Sequence, residues 1–308
     1  MKANIRKAFA DRLVELAADD GSIFAAATDS RGSSAMDSFA QKYPDRFIEC
    51  GIAEQNAVSL AAGLAKTGKT VFVCGPACFL SSRALEQVKV DVGYNNTNVK
   101  VIGVSAGLSY GPLGVTHVSL HDFIIKTFPN IEVFAPSDCV QARFMAEYLA
   151  KSGKPAYMRI GRGDVENVYS ETQSFGIGKA VSVRDGDDAA IICCGETVAI
   201  GAKAHELLIK QGIHARVLDM FSLKPFDGDA IRSACKTKGI VVVEEHGYPS
   251  GLGEAVCRIA CESGAKVHSI ALPEETIIGE QEELFKHYGL TPENVANAVQ
   301  SLVKQVMC

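Results

Sequence analysis

Short runs rich in β-branched residues alternate along this chain with longer stretches of helical periodicity, and most of the short runs are apolar at every position. A strand with one face in water alternates polar and apolar residues, whereas a strand covered on both faces does not. The expected strands are 70–74, 99–104, 131–134 and 156–160, then 189–194, 215–218, 239–243 and 267–272. Helical patterns lie between them at 52–65, 139–151, 197–211, 251–262 and 292–306. Such an order predicts α/β architecture with mostly parallel sheets, helices on both faces and right-handed crossovers. Between Gly161 and Gly178 the pattern lapses into a polar, aperiodic, glycine-containing stretch, which reads as a linker. The expected organisation is therefore two doubly wound α/β domains, 1–165 and 178–308, joined by 166–177, the second smaller than the first.

At 308 residues the chain is long enough for two cores of ordinary size. Its net charge of -5 offers no basic excess for nucleic-acid phosphates. No apolar run reaches membrane-spanning length, and residues 1–12 lack the apolar stretch of a signal peptide, so a cytoplasmic location is expected. Ten cysteines in a chain of this size, with no C-x-x-C pair, suggest neither a disulfide framework nor a zinc site. Cys74, Cys193, Cys194 and Cys257 fall in apolar patterns, where a thiol acts as a small hydrophobe.

Gly63-Leu-Ala-Lys-Thr-Gly68-Lys69-Thr70 satisfies the phosphate-loop pattern letter for letter. The working loop leaves a strand and enters a helix, so that its amides and the helix N-terminus face the phosphates. Here a helical pattern enters and a strand pattern leaves, which is the wrong polarity. Gly63 and Gly68 suit helix termination and a turn instead.

Residues 51–65 place one carboxylate, Glu54, at the start of a helix otherwise built of small and apolar residues. Two readings are open. A Glu in the first turn is favoured by the helix dipole and can reach water. A carboxylate buried there without a partner is costly, tends to take up a proton, and is kept where a proton must be exchanged. Other segments could converge with it. Phe79 and Arg83 follow the strand 70–74; Gly111-Pro-Leu-Gly-Val-Thr-His117-Val-Ser-Leu-His121 follows the strand 99–104; Arg159 and Arg162 come off the strand 156–160. In open α/β sheets, loops after the carboxyl ends of strands form the ligand crevice.

Several of these segments resemble the transketolase family. Asp29-Ser-Arg-Gly-Ser-Ser, Pro44-Asp-Arg-Phe-Ile-Glu-Cys-Gly-Ile-Ala-Glu-Gln-Asn, Phe79-Leu-Ser-Ser-Arg-Ala-Leu-Glu-Gln-Val, Gly114-Val-Thr-His and Ala135-Pro-Ser-Asp are similar to its pyrimidine-binding domain. Val243-Glu-Glu-His-Gly and Tyr288-Gly-Leu-Thr-Pro-Glu are similar to its C-terminal domain. The resemblance implies a thiamine diphosphate pyrimidine-binding fold followed by a transketolase C-terminal fold, and thiamine diphosphate as cofactor. It implies that Glu54 hydrogen-bonds the aminopyrimidine N1′ and favours the tautomer that takes the thiazolium C2 proton. It further implies that Phe79 stacks on the pyrimidine, with Arg83 and Asp29 near the cofactor. His117 is implied as the proton-relaying, substrate-facing histidine, with His121 beside it, and Arg162 as a contact to the anionic end of the substrate.

The family binds diphosphate and Mg²⁺ (or Ca²⁺) through a separate domain bearing Gly-Asp-Gly, a motif this chain lacks. The resemblance is therefore to the C-terminal subunit of a split transketolase, with no metal ligands of its own. An N-terminal partner subunit would supply the diphosphate and metal site, and a homodimer of this chain is expected within an α2β2 assembly. Transfer of a two-carbon ketol unit between sugars or sugar phosphates is the implied reaction. Two departures bear on the substrate. Leu113 stands where the family commonly has an aspartate, and Ser105-Ala106 where it often carries a histidine or arginine. Alternatives are the β subunit of a 2-oxo acid dehydrogenase, a 1-deoxyxylulose-5-phosphate synthase-like half enzyme, and a non-catalytic subunit that has kept the fold.

Overall fold

The computed structural model describes residues 2–307. In chain order the strands of the first half are β1 (Lys2–Asn4), β2 (Ile23–Ala27), β3 (Phe47–Glu49), β4 (Thr70–Pro76), β5 (Val99–Val104), β6 (Glu132–Phe134), β7 (Ala156–Ile160) and β8 (Asp164–Glu166). Those of the second half are β9 (Val181–Arg184), β10 (Ala189–Cys193), β11 (Ala215–Asp219), β12 (Ser222–Lys224), β13 (Ile240–Gly247) and β14 (Val267–Leu272). They form a seven-stranded sheet in the order β12-β6-β7-β5-β4-β2-β3, a five-stranded sheet in the order β14-β13-β10-β11-β9, and the small pair β1-β8. Within the two large sheets every pairing is parallel except β12 with β6 and β9 with β11. Two α/β units with mostly parallel sheets are thus present, as the apolar runs imply.

Period-two alternation decides which face each residue covers, because successive side chains of a strand point to opposite faces. In the first sheet Val71, Val73, Val99 and Val101 pack with Ala57, Val58 and Ala61 of helix Glu54–Ala65. Phe72, Cys74, Ile102 and Met158 face the other way, onto Phe9 and Leu13 of helix Ile5–Asp19 and Met145 of helix Cys139–Lys151. The second sheet repeats this arrangement. Ile191, Val217 and Val241 pack with Val198, Leu208, Val295 and Val299, while Ile192, Leu218 and Val242 pack with Ile231, Leu252 and Val256.

The N-terminal helix Ile5–Asp19 is an element beyond those expected, although Ile5, Phe9, Leu13 and Ala17 recur every four residues along its buried face. Asn4 caps it, its side chain accepting the Lys7 N–H at 3.0 Å. The helix expected from residue 52 begins at Glu54, because Gly51 turns the chain in the left-handed region (φ 65°). Gly63 lies inside that helix rather than ending it, and Gly68 (φ 87°) makes the turn into β4. The phosphate-loop look-alike is therefore a helix C-terminus.

The stretch 166–177 is fastened rather than loose. Tyr169 is buried and donates its hydroxyl to Asp219 at 2.7 Å, and Phe175 packs edge-on against Tyr169. Cys257 departs from expectation: it is exposed on helix Leu252–Ala260, whereas Cys74, Cys193 and Cys194 are buried. Burial pushes the thiols of Cys74, Cys193 and Cys194 far up, consistent with inert core residues. Among the described residues no helix is long and apolar enough to cross a membrane.

Candidate active site

All the parallel strands of the first sheet run the same way, so the loops after β2, β3, β4, β5 and β7 open on one edge. Each residue assigned a site role in the sequence lies in a segment that follows one of these strands. Glu54 follows β3, Phe79 and Arg83 follow β4, His117 and His121 follow β5, Arg162 follows β7, and Asp29 follows β2.

Most of them form one continuous row. Glu54 is 1% exposed at the first position of its helix, and Arg83 Nη1 donates to its Oε2 at 2.7 Å. Of the two readings left open by the sequence, neither holds as it stood: the carboxylate is buried, but it is not unpaired. The turn Ala77–Leu80 and the bend after it bring an arginine 29 residues away onto it. The same guanidinium lies 4.3 Å over the Phe79 ring. Phe79 meets His117 edge-on, with ring centroids 5.1 Å apart, and His117 in turn meets Tyr110 at 5.4 Å. Tyr110 accepts Arg162 Nη1 at 2.7 Å, and the Arg162 guanidinium lies 4.6 Å over its ring. The row ends at Arg6, whose Nη2 donates to the Arg162 carbonyl at 3.0 Å.

Two predicted residues stand apart. Asp29 is exposed in a left-handed conformation (φ 53°), and what holds it is its N–H, bonded to Glu49 Oε1 at 2.8 Å. His121 is exposed, its Nε2 3.3 Å from Ser81 Oγ. Ser81 spends its only proton on the Ala77 carbonyl, so His121 must be the donor there. Of the substituted positions, Leu113 is half-exposed beside the row, while Ser105 is fully buried at φ 55°, away from solvent.

The arginine end of the row is built for an anion. Arg6 and Arg162 line one cleft with Ser109, Tyr110, Leu113 and Gly163. Burial, and then the Arg162 charge, hold the Arg6 guanidinium below its ordinary pKa, and its buried Nε has no partner. Two like charges held together in a partly buried cleft favour a bound anion, and phosphate matches the guanidinium fork. The sequence reading missed Arg6 and Tyr110.

The second domain backs this edge. Asp122 is fully buried and accepts Tyr157 Oη at 2.8 Å, Ser119 Oγ at 3.2 Å and Arg159 Nη1 at 3.3 Å. Burial alone would raise this carboxyl, but Arg159 and the tyrosine hydroxyl hold it below its ordinary value. Arg159 Nη2 reaches on to the Glu245 carbonyl at 3.0 Å. His246 stacks on Phe123 at 4.4 Å and accepts the Phe123 N–H at Nε2, 3.2 Å away. Burial lowers His246 to about 4, so it is neutral and its Nδ1 donates to the Gly247 carbonyl.

The row can accommodate an aminopyrimidine. It offers a buried carboxylate as acceptor, an aromatic face beside it, and a planar guanidinium that already makes both contacts. Among the described residues no group of three or more His, Cys, Asp or Glu is placed to hold a metal ion.

Residues 1–167 match the family model "Transketolase, pyrimidine binding domain" and residues 178–295 the model "Transketolase, C-terminal domain". The chain is 47% identical over 304 residues to one of the subunits of the apulose-4-phosphate transketolase of Phocaeicola vulgatus, covering 97% of each protein. It is 36% identical over 261 residues to 6-deoxy-6-sulfo-D-fructose transketolase subunit SqwH of a Clostridium species, covering 84% of this chain and 81% of that one. Among solved structures it is similar to a split gene transketolase described as an inactive β4 tetramer. That match has a TM-score of 0.89 and 33% identity, with 98% of both chains covered.

Proposed function

The chain belongs to the transketolase family as a subunit of the split type, and we propose that its row from Glu54 to Arg6 is the half of a ketol-transfer site that one chain can build. Residues 1–165 would carry that half-site and 178–308 would support it, with 166–177 between them. A partner subunit would close the site and supply the metal and diphosphate ligands. The observation that carries the reading is the row's continuity: a buried acceptor, an aromatic face, an imidazole and an anion cleft stand in that order along one sheet edge.

Thiamine diphosphate, the family's cofactor, supplies when bound a nucleophilic thiazolium carbon that carries the two-carbon unit. Glu54 would accept a hydrogen bond from the N1′–H of the pyrimidine and so favour the N1′-protonated form of the ring. Phe79 would stack on the same ring. His117 sits between Phe79 and Tyr110, where its imidazole can move a proton to or from a substrate hydroxyl. Thr116 Oγ1, 2.8 Å from His117 Nδ1, orients that ring and leaves Nε2 for the substrate. Arg162 and Arg6 would take the anionic end of the sugar, a phosphate being the natural match. Asp29 and His121 keep a secondary place, at the rim of the cofactor and substrate pockets.

Ile52 (74% exposed), Val115 and Ile278 are large apolar residues at the rim of the row, next to Glu54, His117 and Gly114 respectively. Apolar side chains at a site mouth suit a surface that another chain covers. The α2β2 assembly and a cytoplasmic location belong to the same reading. The relatives named above favour ketol transfer over 2-oxo acid decarboxylation.

The test is reconstitution with the partner chain, Mg²⁺ and thiamine diphosphate. Ketol transfer from a ketose phosphate to an aldose phosphate is expected from the pair and absent from this chain alone. Decarboxylation of a 2-oxo acid in place of transfer would overturn the reading.

A further inference from the structure

The loop after β5 carries Tyr110 and His117, yet much of what holds its backbone comes from the second domain. Glu245, near the end of β13, accepts the Leu108 N–H at Oε1, 2.8 Å away. Gln281 opens helix Gln281–His287, and its Nε2 reaches Glu196 Oε2 at 2.9 Å, Glu245 Oε1 at 3.3 Å and Ser109 Oγ at 3.4 Å. Ser109 Oγ also accepts the Arg162 N–H at 3.2 Å. One amide therefore ties together two carboxylates of the second domain and the two segments of the first that bear Tyr110 and Arg162.

The fit is close enough to demand glycine. A Cβ on Gly107 would lie 2.4 Å from the Glu245 carboxyl carbon, and one on Gly161 would lie 1.3 Å from Glu196 Oε1. Gly107 also takes φ 61°. The backbones of both substrate-bearing segments thus lie directly against the carboxylate pair. Further along the loop the Gly111 carbonyl accepts the Gly279 N–H, and Gly114 packs near Ile278.

We propose that Glu245 and Gln281 are positioning residues of the ketol-transfer site, fixing the 107–109 backbone so that Tyr110 and Arg162 stand in register for the anionic end of the sugar. This rests on the function proposed above. Neither residue touches the substrate; both act through the loop. The clamp also senses pH. Burial and the neighbouring Glu196 raise Glu245 to about 8, against the pull of Arg159 and the hydrogen bonds from Leu108 and Gln281. Burial raises Glu196 too, opposed by Gln281, Arg159 and Arg6. Asp122 is spent on Arg159, and His246 is neutral. At neutral pH Glu245 holds its proton, and above about pH 8 it ionises and adds a negative charge between the domains.

The experiment uses the reconstituted enzyme with wild type, Glu245→Ala, Gln281→Leu and Glu245→Gln, reading KM for an aldose phosphate, kcat, and amide exchange by mass spectrometry. Glu245→Ala and Gln281→Leu are expected to raise KM by about tenfold or more, with kcat within about twofold, and to speed exchange across 106–118. Glu245→Gln mimics the protonated side chain and should restore both. In wild type KM should climb as pH rises through about 8, and in Glu245→Gln it should stay flat. Unchanged KM in both disruptive variants, or a kcat that falls in step with KM while Glu245→Gln fails to rescue, would overturn the proposal. If the wild-type pair transfers no ketol unit, the functional reading has failed and exchange alone decides the clamp. Acceleration confined to 106–118 and 161–163 then supports it, and unchanged exchange sinks it.

Discussion

Arg83 Nη1 stands 2.7 Å from Glu54 Oε2, so the carboxylate that looks isolated in the sequence is one half of an ion pair, with its partner stacked on Phe79. An aminopyrimidine protonated at N1′ would, on entering this place, make the same two contacts, stacking on the ring and donating its N1′–H to the carboxylate. Glu54→Gln removes the charge while keeping the shape. The expected outcome is a fall in kcat of at least about 100-fold with the assembly intact, read by turnover and sedimentation of the reconstituted pair. Turnover within tenfold of wild type would remove Glu54 from the mechanism.

Arg83→Ala would leave Glu54 buried without a partner. Removing one half of a buried pair is strongly destabilising, but Arg83 is 43% exposed at its side chain, so a loss of about 1–2 kcal/mol is expected. Adding Glu54→Gln should recover part of that loss, because the orphaned charge is then gone. Denaturant unfolding of the isolated chain, run as a double-mutant cycle, measures the recovery. Strictly additive losses would mean the pair contributes nothing.

Arg162→Ala and Arg6→Ala should each raise KM for a phosphorylated sugar by about 10- to 100-fold, the worth of one or two charge-assisted hydrogen bonds. Kinetics with a non-phosphorylated analogue provide the control, since its KM should hardly move. Equal effects on both substrates would show that the arginines support the loop rather than the anion. Arg6→Ala is expected to do some of each, because Arg6 also donates to the Ser33 and Arg162 carbonyls.

What the sequence reveals here follows from how far apart the interacting groups lie. Strands 99–104, 156–160 and 267–272 and helix 139–151 stand where the apolar pattern places them, because burial on both faces, or on one stripe, is written locally. Strands β1, β3 and β12, of three residues each, are too short for a period, and only pairing with another strand defines each of them. Site residues follow the same division. Glu54, Phe79, His117 and Arg162 are readable as residue types on loops after strands. Their order along the edge is not, since Arg83 reaches Glu54 across 29 residues and Arg6 reaches Arg162 across 156. The Glu245 clamp spans 137 residues and crosses a domain boundary, so no local pattern could announce it.

Metal dependence should belong to the pair and not to this chain. Among the described residues no cluster of His, Cys, Asp or Glu is placed to hold an ion. Dialysis against EDTA is expected to abolish turnover of the reconstituted enzyme, reversibly on adding Mg²⁺, and to leave the melting temperature of the isolated chain unchanged. A lower melting temperature in EDTA would reveal a metal site within this chain.

Asp219 gives the fold its own dependence on pH. Its Oδ2 accepts Tyr169 Oη at 2.7 Å and Ser137 Oγ and Gln141 Nε2 at 3.1 Å each, while Oδ1 is buried without a partner. Burial raises this carboxyl from 3.8 to about 7, against those three hydrogen bonds and with some help from Asp138. Below the unfolded value both states carry the proton and the contribution of this group is fully present. As pH rises, the unfolded chain releases its proton first, so folding loses stability progressively until Asp219 itself ionises in the folded state. The unfolding free energy of the isolated chain should therefore fall between about pH 4 and pH 7, and Asp219→Asn should flatten that part of the curve. Denaturant melts at half-unit pH steps measure the slope. A variant with the wild-type slope would mean that Asp219 is already ionised in the folded chain and that its hydrogen bonds offset its burial.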